Sequence, residues 1–349
     1  MQAPVVEERS SGKRRGRLAE IAENMPAAYF GIVLGLAGLG NAWRAATQAW
    51  HVPGGIAELI YLIAGIVWAA LIVLYICKAL MAPEKLAAEV AHPVQCCFIG
   101  LAGVSTMLIA GGLVPHWPAV AYIVFAIGFV FTLGFGIWRT GGLWRGEREP
   151  GTTTAVLYLP TVAGSFVSAT VISALGHPDW GQLAFGAGVF SWLAMESVLL
   201  HRLLTGPTTP APLRPTLGVQ LAPAPVGALA YIAVSGGTPD VFVHALIGYG
   251  LLQLFILARL SPWIAEAGAV PGFWAFSFGA TAIAAAPLRL IAHGDSGAVA
   301  TLAPILLGAA TLFVVGLAVM TLWLLASGRM FASAPAAPAA APAGARPAP

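Results

Sequence analysis

Ten apolar stretches, each near 20 residues long and separated by short polar joints, leave this chain few ways to fold. A helix rising 1.5 Å per residue needs roughly 20 residues to cross about 30 Å of hydrocarbon. By that ruler the sequence predicts spans at 26–45, 56–80, 93–113, 118–140, 156–176, 180–203, 218–236, 239–261, 271–291 and 298–327. Composition agrees: 9% of the 349 residues are charged, where a soluble globular chain carries about 25%. That excludes a cytosolic enzyme, a nucleic-acid binder and a disordered scaffold. Cys77, Cys96 and Cys97 all lie in apolar stretches and make neither a disulfide framework nor a zinc spacing.

The first 24 residues hold Lys13, Arg14, Arg15 and Arg17 without an apolar core, so 1–24 reads as a basic, disordered cytoplasmic arm. At the other end, 329–349 reads as a disordered cytoplasmic tail, almost all alanine and proline from Ser333 onward. Between them, 25–328 is one ten-helix transmembrane domain. With residue 1 inside, 15 of the 17 Lys and Arg fall at inner ends and only Arg44 and Arg289 at outer ends. This is the positive-inside bias, and a missed or invented span would scramble it. Both termini are therefore expected in the cytoplasm.

Prolines mark the cytoplasmic starts of odd-numbered spans: Pro26, Pro93, Pro160 and Pro223, spaced 67, 67 and 63 residues. The spacing predicts a helical hairpin of about 60 residues repeated in one orientation. Five hairpins fit the length. Extending the spacing reaches Pro287, late in span nine, so the fifth unit is expected to be shifted or shortened. The odd spans are rich in small residues, Gly31, Gly35, Gly38, Gly40, Gly100, Gly103 and Gly164 among them. Such residues permit close helix packing or line a pore. Even spans carry Tyr61, Trp68, Phe125, Phe129 and Phe131, as lipid-facing walls would, which makes the odd spans the candidates for an inner ring.

Chemistry-bearing motifs are scarce. The seven histidines form no HExxH pairing, and there is no acidic cluster or P-loop. No enzyme, metal site or cofactor is expected. Glu196 is the most interior carboxylate, either a proton-coupling group or a structural one paired with the basic ends of neighbouring spans. His244 and Glu58 read as interfacial. Arg44 and Arg289 either snorkel or, ringing an outer mouth, concentrate anions. The aromatic run Phe273, Trp274, Phe276, Phe278 reads as packing, an interfacial belt or a gate, with Trp274 and Phe278 on one helix face and Phe276 on another.

Specific strings sharpen this. PAAYFGIVLGLAGLGNAWR at 26–44, HPV at 92–94, GLWRG at 142–146, YLPTVAGSF at 158–166, FGAGVFSWL at 185–193, LGVQLAPA at 217–224, GYGLLQL at 248–254 and FWAFSFG at 273–279 closely resemble the tellurite-resistance/dicarboxylate transporter family, which includes plant slow anion channels. The resemblance implies an all-α integral membrane fold of the bacterial inner membrane. In it ten transmembrane helices form five hairpins in quasi-fivefold arrangement around a central pore, odd helices inner, with a homotrimer of one pore per protomer. It assigns a pore-plugging phenylalanine to Phe278 and a gate-contacting glycine to Gly31. Pro26, Pro93, Pro160, Gly164, Pro223 and Trp274 become candidates for lining the pore or bending its helices. AAAPLRL, with Pro287 and Arg289, departs from the family pattern.

The function expected is a gated channel passing small monovalent anions such as nitrate and chloride through an apolar pore, with a link to tellurite resistance implied by the family. The alternative is a proton-coupled transporter of tellurite or C4-dicarboxylates, with Glu196 as the coupling carboxylate. Expected partners are inorganic anions, the lipid bilayer and copies of the same chain, with no nucleic acid.

Overall fold

The computed structural model describes residues 17–146 and 148–331. The arm residues Lys13, Arg14 and Arg15 and the Ala/Pro stretch 332–349 lie outside the described residues. Ten long helices, α1 to α10, run in chain order: α1 Phe30–Trp50, α2 Gly55–Met81, α3 Leu101–Leu113, α4 Pro118–Leu143, α5 Gly164–Ala174, α6 Pro178–Thr205, α7 Pro223–Val234, α8 Val241–Ala265, α9 Ser277–Ala292 and α10 Ala298–Ala326. No strand occurs among the described residues.

Among the described residues nine helical runs are long and apolar enough to cross a membrane, against ten expected from the sequence. The one that falls short is α1, whose 21 residues include Asn41, Arg44 and Gln48. These polar groups lower its hydropathy, and each finds a partner within the fold.

Even and odd helices differ in burial. The even-numbered runs bury 11 to 33% of their most apolar window, whereas the runs containing α3, α5, α7 and α9 bury 83, 67, 78 and 61%. Contacts explain this, since α1 touches α3, α3 touches α5, α5 touches α7, α7 touches α9, and α9 returns to α1. The five odd helices therefore close on one another and the even ones stand outside them.

The odd runs start irregularly. A 3-10 turn or stretch precedes each at Ala27–Tyr29, Gln95–Gly100, Ala155–Tyr158, Ala211–Leu221 and Pro271–Phe276, starts that lie 68, 60, 56 and 60 residues apart. A wider π turn, Leu159–Ala163, follows the third and contains Pro160. Proline lacks an N–H and its ring clashes with the preceding turn, so a regular i→i−4 ladder cannot run through these points. This places the fifth repeat at Pro271, not near Pro287. Pro287 lies inside α9, which continues to Ala292. The four prolines noted in the sequence are not equivalent either: Pro26 caps the first 3-10 turn, Pro160 sits in the π turn, and Pro223 opens α7.

We call the end of the bundle that holds these irregular starts the near end, and the other, with Arg44 and Arg289, the far end. Two expectations fail at the near end. Arg17–Asn24, inside the stretch expected to be disordered, is a helix packed on α2; Ala22 and Met25 are buried, and Glu23 meets Lys85 at 3.3 Å. The start of the expected tail is also packed, because the Tyr29 hydroxyl donates to the Met330 carbonyl and Phe331 lies 5.8 Å from the Tyr29 ring.

The large residues of the even helices do not simply face lipid. Tyr61 covers Gly40 and Gly112, where an added Cβ would approach its ring to 2.8 and 2.7 Å. Trp68 Nε1 donates to Thr106 at 3.0 Å, and Phe125 is buried against Phe129. Of that group Phe131 is exposed.

Candidate functional site

Two chambers lie inside the ring of odd helices, and residues from all five odd runs line both. The near chamber, about 100 Å³, has Tyr29, Gly31, Phe98, Tyr158, Pro223 and Trp274 in its wall. The far chamber, about 40 Å³, is lined by Gly38, Asn41, Leu108, Thr170, Leu229 and Thr281, among others. Val226 and Phe278 are the two residues common to both walls. The Phe278 ring thus stands at the boundary between the chambers, in the first turn of α9.

Glycine spacing on α1 makes room for this boundary. An added Cβ at Gly38 would overlap the Thr281 hydroxyl and come within 3.5 Å of Phe278 Cδ2, and at Gly35 it would lie 2.6 Å from Ser277 Cβ and 2.8 Å from Trp274 Cζ3. At Gly31 it would meet only Trp274 Cβ, at 3.8 Å. The glycine against the Phe278 ring is therefore Gly38, and Gly31 belongs about two turns nearer the near end, opposite Trp274.

Trp274 does not form a second ring across the axis. Its indole Nε1 donates to Thr321 of α10 at 2.8 Å, so the side chain leans outward. Phe276 points away from the chambers, stacking with Phe273 at 6.2 Å and meeting Phe313 edge-on at 6.4 Å.

Hydroxyls in the chamber walls are spent elsewhere. Tyr29 donates to Met330, Tyr158 to Glu196, Thr216 to Leu213, Thr170 to Phe166 and Thr281 to Ser277. What faces the near chamber is mainly hydrocarbon, and no metal-ligating cluster occurs among the described residues.

Of the other sequence candidates, Pro26, Pro93, Pro160 and Gly164 line neither chamber. The Pro93 carbonyl accepts from Arg139 at 3.0 Å and Arg148 at 3.2 Å. Pro160 and Gly164 face a lateral groove between α4 and α6. Glu196, on α6, is buried behind Tyr158. It accepts from the hydroxyls of Tyr158 and Tyr249, from Trp192 Nε1 at 2.9 Å, from Gln220 Nε2 at 2.9 Å and from Gln253 Nε2 at 3.4 Å. Its partners are neutral donors from four elements; the basic ends of neighbouring spans take no part, as Arg202 bonds Thr209 instead.

The far-end arginines differ from each other. Arg44 is bidentate to Glu58 at 2.8 and 2.7 Å, donates to the Gly112 carbonyl and lies 4.1 Å over the Tyr61 ring; Glu58 also holds His116 at 2.8 Å. Arg289 donates to Gln48 Oε1 and Asn41 Oδ1, both at 2.8 Å, and makes no ion pair among the described residues. His244 pairs with Asp295 at 2.9 Å. Sequence reasoning missed Asn41 and Val226, and it named Gly38 only among the small residues of the odd spans. Asn41 carried a signal, a polar amide within an otherwise apolar small-residue helix.

Residues 24–322 match the family described as SLAC1, voltage-dependent anion channel. The chain is 39% identical over 262 residues to a tellurite resistance protein TehA homolog of Haemophilus influenzae, spanning 74% of this chain and 79% of that one. It is 24% identical over 314 residues to the S-type anion channel SLAH2 of Arabidopsis thaliana, and 25% identical over 283 to the guard cell S-type anion channel SLAC1 of that plant. These matches take in 84% and 76% of this chain but only 59% and 49% of the longer plant proteins.

Proposed function

Because this chain belongs to the SLAC1 voltage-dependent anion channel family, we propose that it is a gated channel for small monovalent anions, closed by Phe278. The observation that carries this is the position of Phe278 between two chambers that all five odd runs line. In this reading the ten helices span the membrane as five hairpins in quasi-fivefold order and the chambers are segments of one pore. The near end is cytoplasmic because the Lys and Arg gather there. The bilayer is a bacterial inner membrane, and the assembly is a homotrimer with one pore per protomer.

An apolar near chamber without a charged group sorts anions by the cost of stripping their water. Weakly hydrated nitrate is expected to permeate more readily than chloride, and multivalent anions least. Opening requires the Phe278 ring to leave the boundary, by rotation about its own side-chain bonds or by a shift of the irregular segment that precedes α9. Either motion is a population shift that a ligand or partner at the near end can bias.

Voltage-clamp recording of wild type and Phe278→Ala in nitrate and then chloride tests this. Large ohmic anion currents in the variant and small ones in wild type are expected; equal currents in both would sink the gate assignment.

The rival reading, a proton-coupled carrier of tellurite or C4-dicarboxylates, is favoured only by a buried carboxylate one residue behind the chamber wall. It predicts saturable uptake that follows a pH gradient and disappears in Glu196→Gln. The channel reading predicts that Glu196→Gln leaves the ion selectivity of Phe278→Ala unaltered.

A further inference from the structure

We propose that the far chamber holds a built anion-binding site, in which Asn41 is the donor and Arg289 supplies the charge; this rests on the anion-channel reading for its physiological meaning. A guanidinium has only N–H donors, so an amide that faces it must present its oxygen. Arg289 therefore fixes the orientation of two amides of α1, taking Asn41 Oδ1 and Gln48 Oε1 at 2.8 Å each. Both NH₂ groups are turned away from the guanidinium, and neither has a hydrogen-bond acceptor among the described residues. Asn41 lines the far chamber, so its Nδ2 has that chamber open to it.

The other polar residues of that wall cannot serve as donors. The Thr170 hydroxyl proton is committed to the Phe166 carbonyl and that of Thr281 to Ser277, leaving only lone pairs toward the chamber. Asn41 Nδ2 is thus the free side-chain donor of the wall, and it is polarised by a cation bonded to the other end of the same amide. That cation is uncompensated. Among the described residues no carboxylate pairs with it: Glu58, Asp240 and Asp295 are engaged with Arg44 and His116, with Tyr231 and the Val243 N–H, and with His244, and Asp179 stands exposed in the first turn of α6. Arg44, by contrast, is neutralised by Glu58 and contributes no net charge.

Size sets the ligand class. A chamber of about 40 Å³ holds a few water molecules, since about 10–15 Å³ on this measure admits one. A halide or nitrate that has shed its water fits; a four-carbon dicarboxylate does not. The site lies directly beyond Phe278, so it would load an anion against the closed ring.

Diffraction from the full-length protein crystallised in bromide tests the site without reference to transport. Anomalous density beside Asn41 Nδ2 is expected in wild type, to vanish in Asn41→Asp, which keeps the bond from Arg289 but replaces the donor with an acceptor. It should vanish also in Arg289→Met, and persist in Thr170→Val and in the presence of succinate. Currents supply the second arm: in a Phe278→Ala background, Asn41→Asp is expected to raise the half-saturating far-side nitrate concentration at least about tenfold while leaving near-side dependence unchanged. No bromide at Asn41, bromide that survives Asn41→Asp, or an unmoved half-saturation overturns the site, whatever the channel does. Bromide bound and lost as predicted, with no current in Phe278→Ala, keeps the site and removes the channel reading.

Discussion

Gly35 shows how little tolerance the ring of odd helices has. A Cβ there would lie 2.6 Å from Ser277 Cβ and 2.8 Å from a Trp274 carbon whose indole is anchored on α10. Gly35→Ala must push α1 off α9, and overpacking of this kind costs about 1–3 kcal/mol. Thermal unfolding in detergent is expected to shift down for Gly35→Ala. Gly65→Ala on α2, where nothing lies within 4 Å of the added carbon, is expected to leave it unchanged or slightly raised through helix propensity. Glu196 makes the opposite case, a buried carboxyl group held by side-chain donors. Glu196→Leu strands two tyrosine hydroxyls and an indole without their acceptor and leaves the Gln220 and Gln253 amides only the tyrosine oxygens, a loss of about 3 kcal/mol or more; the same unfolding assay reads it. The carboxylate could be singled out in the sequence because it interrupts an apolar run. Its partners could not, since Gln220 and Gln253 stand 24 and 57 residues away and only the closed fold brings them together. The Phe278 assignment came from the family resemblance. The choice of Gly38 over Gly31 as its neighbour needed the register of α1 against α9, which no spacing rule supplies.

Helices here are secured at their ends by side chains from other helices. Lys78, in the last turn of α2, donates to Glu89 at 2.6 Å and to the Met25 carbonyl at 2.9 Å; Glu89, in the helix Pro83–Ala91, accepts the Ala27 N–H at 2.7 Å and the Tyr75 hydroxyl at 3.2 Å. The pair therefore caps the 3-10 turn that begins the first odd run. Both side chains are almost fully buried, at 6 and 7% exposure, so removing one leaves an uncompensated charge. Lys78→Met is expected to destabilise by about 3–5 kcal/mol, and the double variant Lys78→Met/Glu89→Leu to recover part of it, measured by the same melting experiment. Proline spacing in the sequence revealed that odd runs repeat, because proline constrains backbone directly. Extended to a fifth unit the spacing overshoots to Pro287, which is why that unit is expected to be shifted or shortened; what recurs is the irregular backbone start, here at Pro271. Proline is only one way to make that start: Pro26 precedes its turn, Pro160 lies past its turn, and Pro271 opens the last one.

The apolar-length ruler marks all ten long runs in the sequence, α1 included, although its polar groups leave α1 the least apolar of them, and the assembled bundle satisfies those groups internally. Charge asymmetry is the ground for the orientation proposed above. Trp144 is 87% exposed beyond the near end of α4 and Trp117 is 62% exposed just before its far end. A membrane-impermeant maleimide added to intact cells is expected to label Trp117→Cys and to reach Trp144→Cys only after the cells are opened; the native Cys96 and Cys97 are buried, and the half-buried Cys77 is replaced by alanine in both variants. The reverse pattern would invert the topology. One further property follows from the bond between the Tyr29 hydroxyl and the Met330 carbonyl, which sets the two ends of the described chain side by side at the near end. The polypeptide is thereby almost a loop, and where that loop is cut matters less than that its surface is kept. Joining residue 331 to residue 17 by a flexible linker, which keeps the packed helix Arg17–Asn24, and opening the exposed joint between Pro207 and Thr208 would give a circular permutant that begins at the fourth hairpin yet assembles the same bundle.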